Sequence, residues 1–165
     1  MSETTIANLK KPRFEIRRGM LIAGFQGHYD TNTVNDIPLQ WQRFGPDFGK
    51  VPGQLDHSGY GVVFNMNSGK GFDYVSGVAV SSRTAVPEKF VVVSIPERKY
   101  AIFCHREHVS KLKDTVTAIW QQWLPSSGYA VPSTTGAPDI IEWYGPNFDP
   151  HTGMGDMEVW VPIKT

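Results

Sequence analysis

Four residues near the C-terminus combine a type that binds charge with a type that binds rings. The segment APDIIEWYGPNFDPHTGMGDMEVWVPI reads as two extended runs joined by a Gly/Pro/Asp-rich connection, with Glu142 and Tyr144 on the first run and Glu158 and Trp160 on the second. Residues two apart in a strand share a face, so each run presents one carboxylate beside one large aromatic. That pairing suits a lipophilic cation. Aromatic faces supply dispersion and cation–π attraction of about 0.5 to 2 kcal/mol per good contact, and the carboxylate supplies the opposite charge. An isolated ionised carboxylate is costly to bury, so an empty pocket should raise the pKa of its glutamate or offer it a hydroxyl such as Tyr144 or Tyr74. Stacking surface tolerates many shapes, and selectivity is expected to be loose. Each side chain also has a plain reading: Glu142 and Glu158 facing water from a one-sided sheet, and Tyr144, Trp160, Tyr74 and Trp41 filling a core.

The elements that must position these residues occur twice. FEIRRGMLIAGF (14–25) predicts a long first strand bent at Gly19. Val34, Ile37, Trp41 and Phe44 recur at helical spacing, with Pro38 in the first turn, Asp36 or Ile37 at the cap and Gly45-Pro46 at the end. YGVVFNM and FDYVSGVAV flank NSGKG as a hairpin. FVVVSI and KYAIFCH, split by Pro96, lead into the stripe Val109, Leu112, Val116, Ile119, Trp120 and Trp123, a helix that Pro125 should terminate and whose Trp120 and Trp123 should join the core. The wording repeats as well: KYAIFCHREHVSKLKDTVTAIWQQWLP answers MLIAGFQGHYDTNTVNDIPLQWQRFGP, and GDMEVWVPI answers KGFDYVSGVAV. The expected fold is α+β, with two pseudo-symmetric β-α-β-β repeats (about 12–83 and 88–165) in a single domain (12–165) behind a flexible arm (1–11). They should share a curved antiparallel sheet with two main helices on one face and a ligand groove at the seam, on the face away from the helices. Aligning the hairpins sets Glu158 against Asp73, an acid in both copies, and sets Glu142 at an apolar position of YGVVF. Glu142 breaks the repeat and is the carboxylate expected to meet the ligand's charge.

Composition removes other classes of function. Sixteen Lys plus Arg balance sixteen Asp plus Glu, so no overall field steers nucleic acid. One cysteine, Cys104, closes no internal disulfide, and no apolar leader or membrane-length run is present. The expected setting is cytoplasmic, as a monomer or weak homodimer without membrane contact. Cys104, His105 and His108 lack a second ligand pair for zinc. Asp56, His57 and Ser58 adjoin without the geometry of a triad, and SGKG lacks the rest of a phosphate loop. No metal and no cofactor are expected.

IPLQWQRFG, YGVVF and FDYVSGVAV, followed by KYAIFCHREHVSKLKDTVTAIWQQWLPSSGYAV, IIEWYGPNFDP and GDMEVWVPI, resemble the two halves of the GyrI-like effector-binding domain, which is also the ligand-sensing part of AraC-type and MerR-type regulators. The resemblance implies an aromatic pocket with a buried glutamate that accepts amphipathic, often cationic, molecules. Its expected lining is Glu142, Glu158, Tyr144, Trp160, Trp41 and Tyr74. Glu107, where relatives often carry a small residue, is expected near the pocket rim. Only a dozen residues precede the first strand, too few for a helix-turn-helix, so the expectation is a standalone effector-binding protein without direct nucleic-acid contact. Two alternatives follow from the same resemblance: a hydrolase of reactive electrophiles using a Glu/Tyr pair, and an inhibitor gripping a protein partner such as DNA gyrase.

Overall fold

Two connections of two residues each dictate how the sheet is shaped. The computed structural model describes residues 9–133 and 136–164. It contains β1 (Arg13–Arg17), β2 (Met20–Tyr29), α1 (Ile37–Phe44), β3 (Gly59–Phe64), β4 (Phe72–Val80), β5 (Val91–Ile95), β6 (Arg98–Cys104), α2 (Leu112–Ala118), α3 (Leu124–Ser127), β7 (Ile140–Tyr144) and β8 (Met157–Pro162). All strand pairs are antiparallel, in one eight-stranded sheet ordered β1-β6-β8-β7-β3-β4-β2-β5. Exchanging the repeats reverses this order onto itself, so the pseudo-two-fold lies at the β7–β3 seam. Strands β1 and β2 sit towards opposite ends of that order, yet only Arg18 and Gly19 join them. Such a link spans at most about 11 Å between its flanking residues, so the two ends of the sheet must curl towards each other. Pro96 and Glu97 make the matching corner in the second repeat.

The expected strand 14–25 is therefore two strands. Its register nonetheless runs on across the break, with Arg17 opposite Arg98 and Met20 opposite Ile95. A Cβ at Gly19 would lie 2.9 Å from the Ile95 carbonyl oxygen, which is why the corner carries no side chain.

Curling creates a core on each face. One face holds Ile22, Tyr60, Val62, Val75, Tyr100, Ile102, Ile141 and Trp160, all buried. The other receives the helices: Phe103, Leu112, Ile119 and Val159 pack together in one cluster, and Ala23, Phe44, Val78 and Phe90 in another. Burial on both faces explains why β4 reads FDYVSGVAV, almost without a polar side.

α1 starts behind Asp36 with Pro38 in its first turn, where a missing N–H costs no helical bond, and gives way to a 3-10 turn over Gly45–Asp47. Its stripe buries Phe44, but the other fully buried position is polar, Gln40. Pro125 does not end the second helix. Lacking an amide N–H, it is accommodated by a π-helical turn over Ile119–Trp123, in which Leu124 N–H bonds the Ile119 carbonyl, and the helix continues to Ser127 before Gly128 turns left-handed. Trp120 and Trp123 pack partly buried against the cluster of α2, with Trp123 edge-on to Phe103 at 5.0 Å and stacked on Tyr129 at 6.0 Å. Leu9 also packs there, while positions 1–8 of the expected arm lie outside the described residues. Among the described residues no helix is long and apolar enough to cross a membrane.

Candidate functional site

A row of six cross-strand partners runs through the seam: Phe25, Ser76, Gly61, Glu142, Val159 and Phe103. Matching the two corners residue by residue sets Phe25 against Phe103, hence Ser76 against Val159 and Gly61 against Glu142. The pseudo-two-fold thus passes between Gly61 and Glu142, which pair directly. One repeat supplies a carboxylate at the axis, and the other supplies the space for it. The same register gives Glu158 the counterpart Val75, not Asp73, because Glu158 precedes Val159 as Val75 precedes Ser76.

Glu142 Oε1 accepts two phenol hydrogen bonds, from Tyr74 at 2.7 Å and from Tyr144 at 2.9 Å. Trp41 Nε1 of α1 donates to the Tyr74 hydroxyl at 2.9 Å. Trp41 meets Tyr144 edge-on at 5.4 Å, and Tyr144 leans on Phe148 at 5.1 Å. Three aromatics from α1, β4 and β7 therefore surround one carboxyl group. Glu142 Oε2 makes no hydrogen bond among the described residues, and the residue is half-buried, so this oxygen is left for solvent or a ligand.

Two glycines of β3 carve the floor. They lie two apart on the same face, and a Cβ at Gly59 would press on the Trp41 ring at 3.2 Å. A Cβ at Gly61 would collide with the Tyr74 hydroxyl and stand 2.6 Å from Glu142 Oε1. Composition reading passed over both. The usable signal is the pattern Gly-x-Gly inside a strand, which marks a close approach.

Burial pushes the Glu142 carboxyl above its ordinary value, and the Tyr74 and Tyr144 donors pull it back in part. Burial also raises both phenols well above theirs, with the neighbouring carboxylate adding to the shift, so they remain protonated donors at neutral pH. The free site is a carboxyl group whose ionised form is poorly solvated and half-satisfied. A cation at Oε2 would complete it.

Of the six expected ligand residues, the fold brings together Glu142, Tyr144, Tyr74 and Trp41. They lie on the face that carries the helices, not on the face away from them: the latter is closed by its own core. Glu158 and Trp160 belong there, since Glu142 pairs with Val159 and Trp143 pairs with Glu158. Both oxygens of Glu158 are taken, Oε1 by Trp160 Nε1 at 2.8 Å and Oε2 by Arg13 at 3.1 Å. The Arg17 guanidinium covers the Trp160 ring, 4.4 Å from its centroid. Here the chain fills an aromatic–carboxylate pair with its own cations. Glu158→Gln is accordingly expected to cost about 1–2 kcal/mol of stability, a charge-assisted bond discounted for the half-exposed Arg13, while cation affinity stays within twofold of wild type. Melting curves and a dye titration on the same samples check both halves.

A separate cavity of about 370 Å³ opens two strands from Glu142, lined by residues that include Lys10, Cys104, His105, Arg106, Glu107 and Thr115. Its Lys10 and Arg106 make it a poor seat for a cation. Glu107 lies on this wall, away from the seam. His105 is a bracket for α2, with Nε2 donating to the His108 carbonyl at 2.9 Å and Nδ1 meeting Thr115 Oγ1 at 2.8 Å. Among the described residues no three His, Cys, Asp or Glu side chains gather as a metal site.

The sequence profile of the GyrI-like small molecule binding domain matches residues 10–164. The transcriptional regulator BrlR of Pseudomonas aeruginosa is 27% identical over 125 residues, 74% of this chain and 44% of the regulator, so the chain spans less than half the length of this relative. Among solved structures, SAV2435 bound to tetraphenylphosphonium superposes with a TM-score of 0.75 at 18% identity, covering 94% of each chain. The EcmrR C-terminal domain superposes with a TM-score of 0.66 at 12% identity, covering 96% of this chain and 99% of that domain.

Proposed function

The chain belongs to the GyrI-like small molecule binding domain family, and we propose that it binds amphipathic, positively charged molecules between its helices, with Glu142 meeting the charge. The observation that carries this reading is the Glu142 carboxyl itself: one oxygen is held by two phenols, the other has no partner among the described residues, and aromatic rings flank it. Support comes also from SAV2435, a structural neighbour solved with a lipophilic cation. Trp41 and Tyr144 offer ring faces and edges for the apolar body of such a ligand, and Glu142 replaces water as the counter-ion. Few directional donors and acceptors surround the site, so shape and charge, not a dense hydrogen-bond pattern, set what binds.

The test is a titration with tetraphenylphosphonium, followed by tryptophan fluorescence at a series of pH values. Trp41 should report saturable binding. A proton and the cation compete for the same carboxylate, so affinity should be flat above the raised pKa of Glu142 and fall about tenfold per pH unit below it. Absence of saturable binding at any pH, or affinity that ignores pH down to the acid limit of folding, overturns the reading. Turnover of an electrophilic ester that Glu142→Gln abolishes would instead make the carboxylate a general base.

A further inference from the structure

Gln40 is a fully buried side chain that the binding chemistry does not use. Its Nε2 donates to the Phe25 carbonyl at 2.9 Å, the Tyr74 carbonyl at 3.2 Å and Ser76 Oγ at 3.0 Å, and its Oε1 accepts from the Tyr29 hydroxyl at 2.5 Å. One α1 residue thereby grips β2 and β4 at once. Burying an amide is unfavourable unless its hydrogen-bonding capacity is met, and here both of its ends are engaged. Directional bonds fix position in a way that apolar contact does not.

The place of this grip matters. Ser76 and Phe25 belong to the same cross-strand row as Glu142, and Tyr74 is the residue whose hydroxyl donates to Glu142. The next residue of the helix, Trp41, donates to that same hydroxyl. Helix α1 thus holds Tyr74 by both ends, the carbonyl through Gln40 and the phenol through Trp41. The second repeat does not build the same grip: Val159 stands where Ser76 does and has no hydroxyl, and α2 is tied through Thr115 to His105 instead.

We infer that Gln40 is the positioning residue of the site: it fixes α1 on β2 and β4 so that Trp41 Nε1 and Glu142 Oε1 meet at the Tyr74 hydroxyl. The inference deepens the cation-binding reading by naming what sets the site's geometry. It does not need a ligand to be tested. Besides burial, the groups acting on Glu142 are the Tyr74 and Tyr144 phenols, and no charged side chain is among them. Asp36 and Arg43, on the α1 side, act on Tyr29 instead. A change in the Glu142 titration therefore reports on the phenols and on burial.

The experiment compares Gln40→Leu and Tyr29→Phe with the wild-type chain by NMR, without ligand, reading the Trp41 indole N–H resonance and the pH midpoint of the Glu142 carboxyl carbon. Loss of the grip should move the indole signal upfield, as a broken hydrogen bond does, and should raise the Glu142 midpoint because Tyr74 donates less well. Tyr29→Phe removes only the bond to Oε1, so smaller shifts in the same directions are expected. If Gln40→Leu does not fold, Tyr29→Phe decides the matter. A merely structural role lowers the melting temperature but leaves both signals of the folded form where they were, and that result overturns the inference. Tetraphenylphosphonium affinity should fall about tenfold in Gln40→Leu, as for one well-placed interaction lost. If no cation binds even the wild-type chain while the two NMR signals still shift, the positioning role stands and the cation reading falls.

Discussion

Glu142→Gln should weaken binding of tetraphenylphosphonium by about 30- to 100-fold at neutral pH, the effect of removing one member of a partly desolvated charge pair. The substitution is close to isosteric, and the amide oxygen can still accept from Tyr74 and Tyr144, so the walls of the site should keep their places. Stability should not follow affinity. Burial raises the folded-state pKa of Glu142 above 4.5, so its contribution to stability is fully present below the unfolded value and is lost as pH rises through the folded one. Glutamine stays neutral throughout, and the variant should melt no lower than wild type at neutral pH. Its affinity should also lose the acid-side fall expected of the wild-type chain. Isothermal titration at two pH values, with melts on the same material, measures all three quantities. Wild-type affinity in the variant would mean that the cation's charge is met elsewhere, and a large drop in melting temperature would mean that Glu142 holds the fold together.

The repeat was legible in the wording because a duplicated unit keeps its apolar periodicity, and the curved sheet with its helices followed from it. The corner at Gly19 and the π-turn before Pro125 were harder to read for a common reason. In both places a residue that disrupts regular structure is accommodated without ending the path of the chain, through a corner across which the register runs on in one case and a hydrogen bond spanning five residues in the other. The facing of Glu158 and Trp160 failed for another reason. Alternation within a strand shows that Glu158 and Trp160 share a face, but it cannot show that this face differs from that of Glu142, because relative facing depends on register. Glu142 pairs with Val159, one residue out of phase with Glu158. Gln40 escaped notice because a helical stripe is selected by apolar residues, whereas this buried position is polar and finds its acceptors on two distant strands.

Gly61→Ala carries the opposite sign to its usual expectation, and the site explains why. In a strand, replacing glycine by alanine ordinarily helps by roughly 0.5–1 kcal/mol through reduced chain entropy. Gly61 has an unremarkable φ, so no backbone penalty cancels that gain. The obstacle is the space itself, which the Tyr74 hydroxyl and Glu142 Oε1 already occupy. Those two atoms are hydrogen-bonded to each other, and Trp41 is bonded to one of them, so none can yield without breaking the set. Overpacking of this kind costs about 1–3 kcal/mol, or roughly 2–10 °C in melting temperature for a chain of this size. Cation affinity should fall with it, because Glu142 must turn away from the rings. Gly59→Ala is the milder companion: its Cβ would press on the edge of the Trp41 ring at 3.2 Å, and a few tenths of an ångström of ring movement relieves it. Differential scanning calorimetry and a dye titration on both variants should rank Gly61→Ala as the more damaging in each measurement. Equal effects, or a stabilised Gly61→Ala, would show that the carboxyl and the phenol can move aside, and would remove the reason for a glycine opposite Glu142.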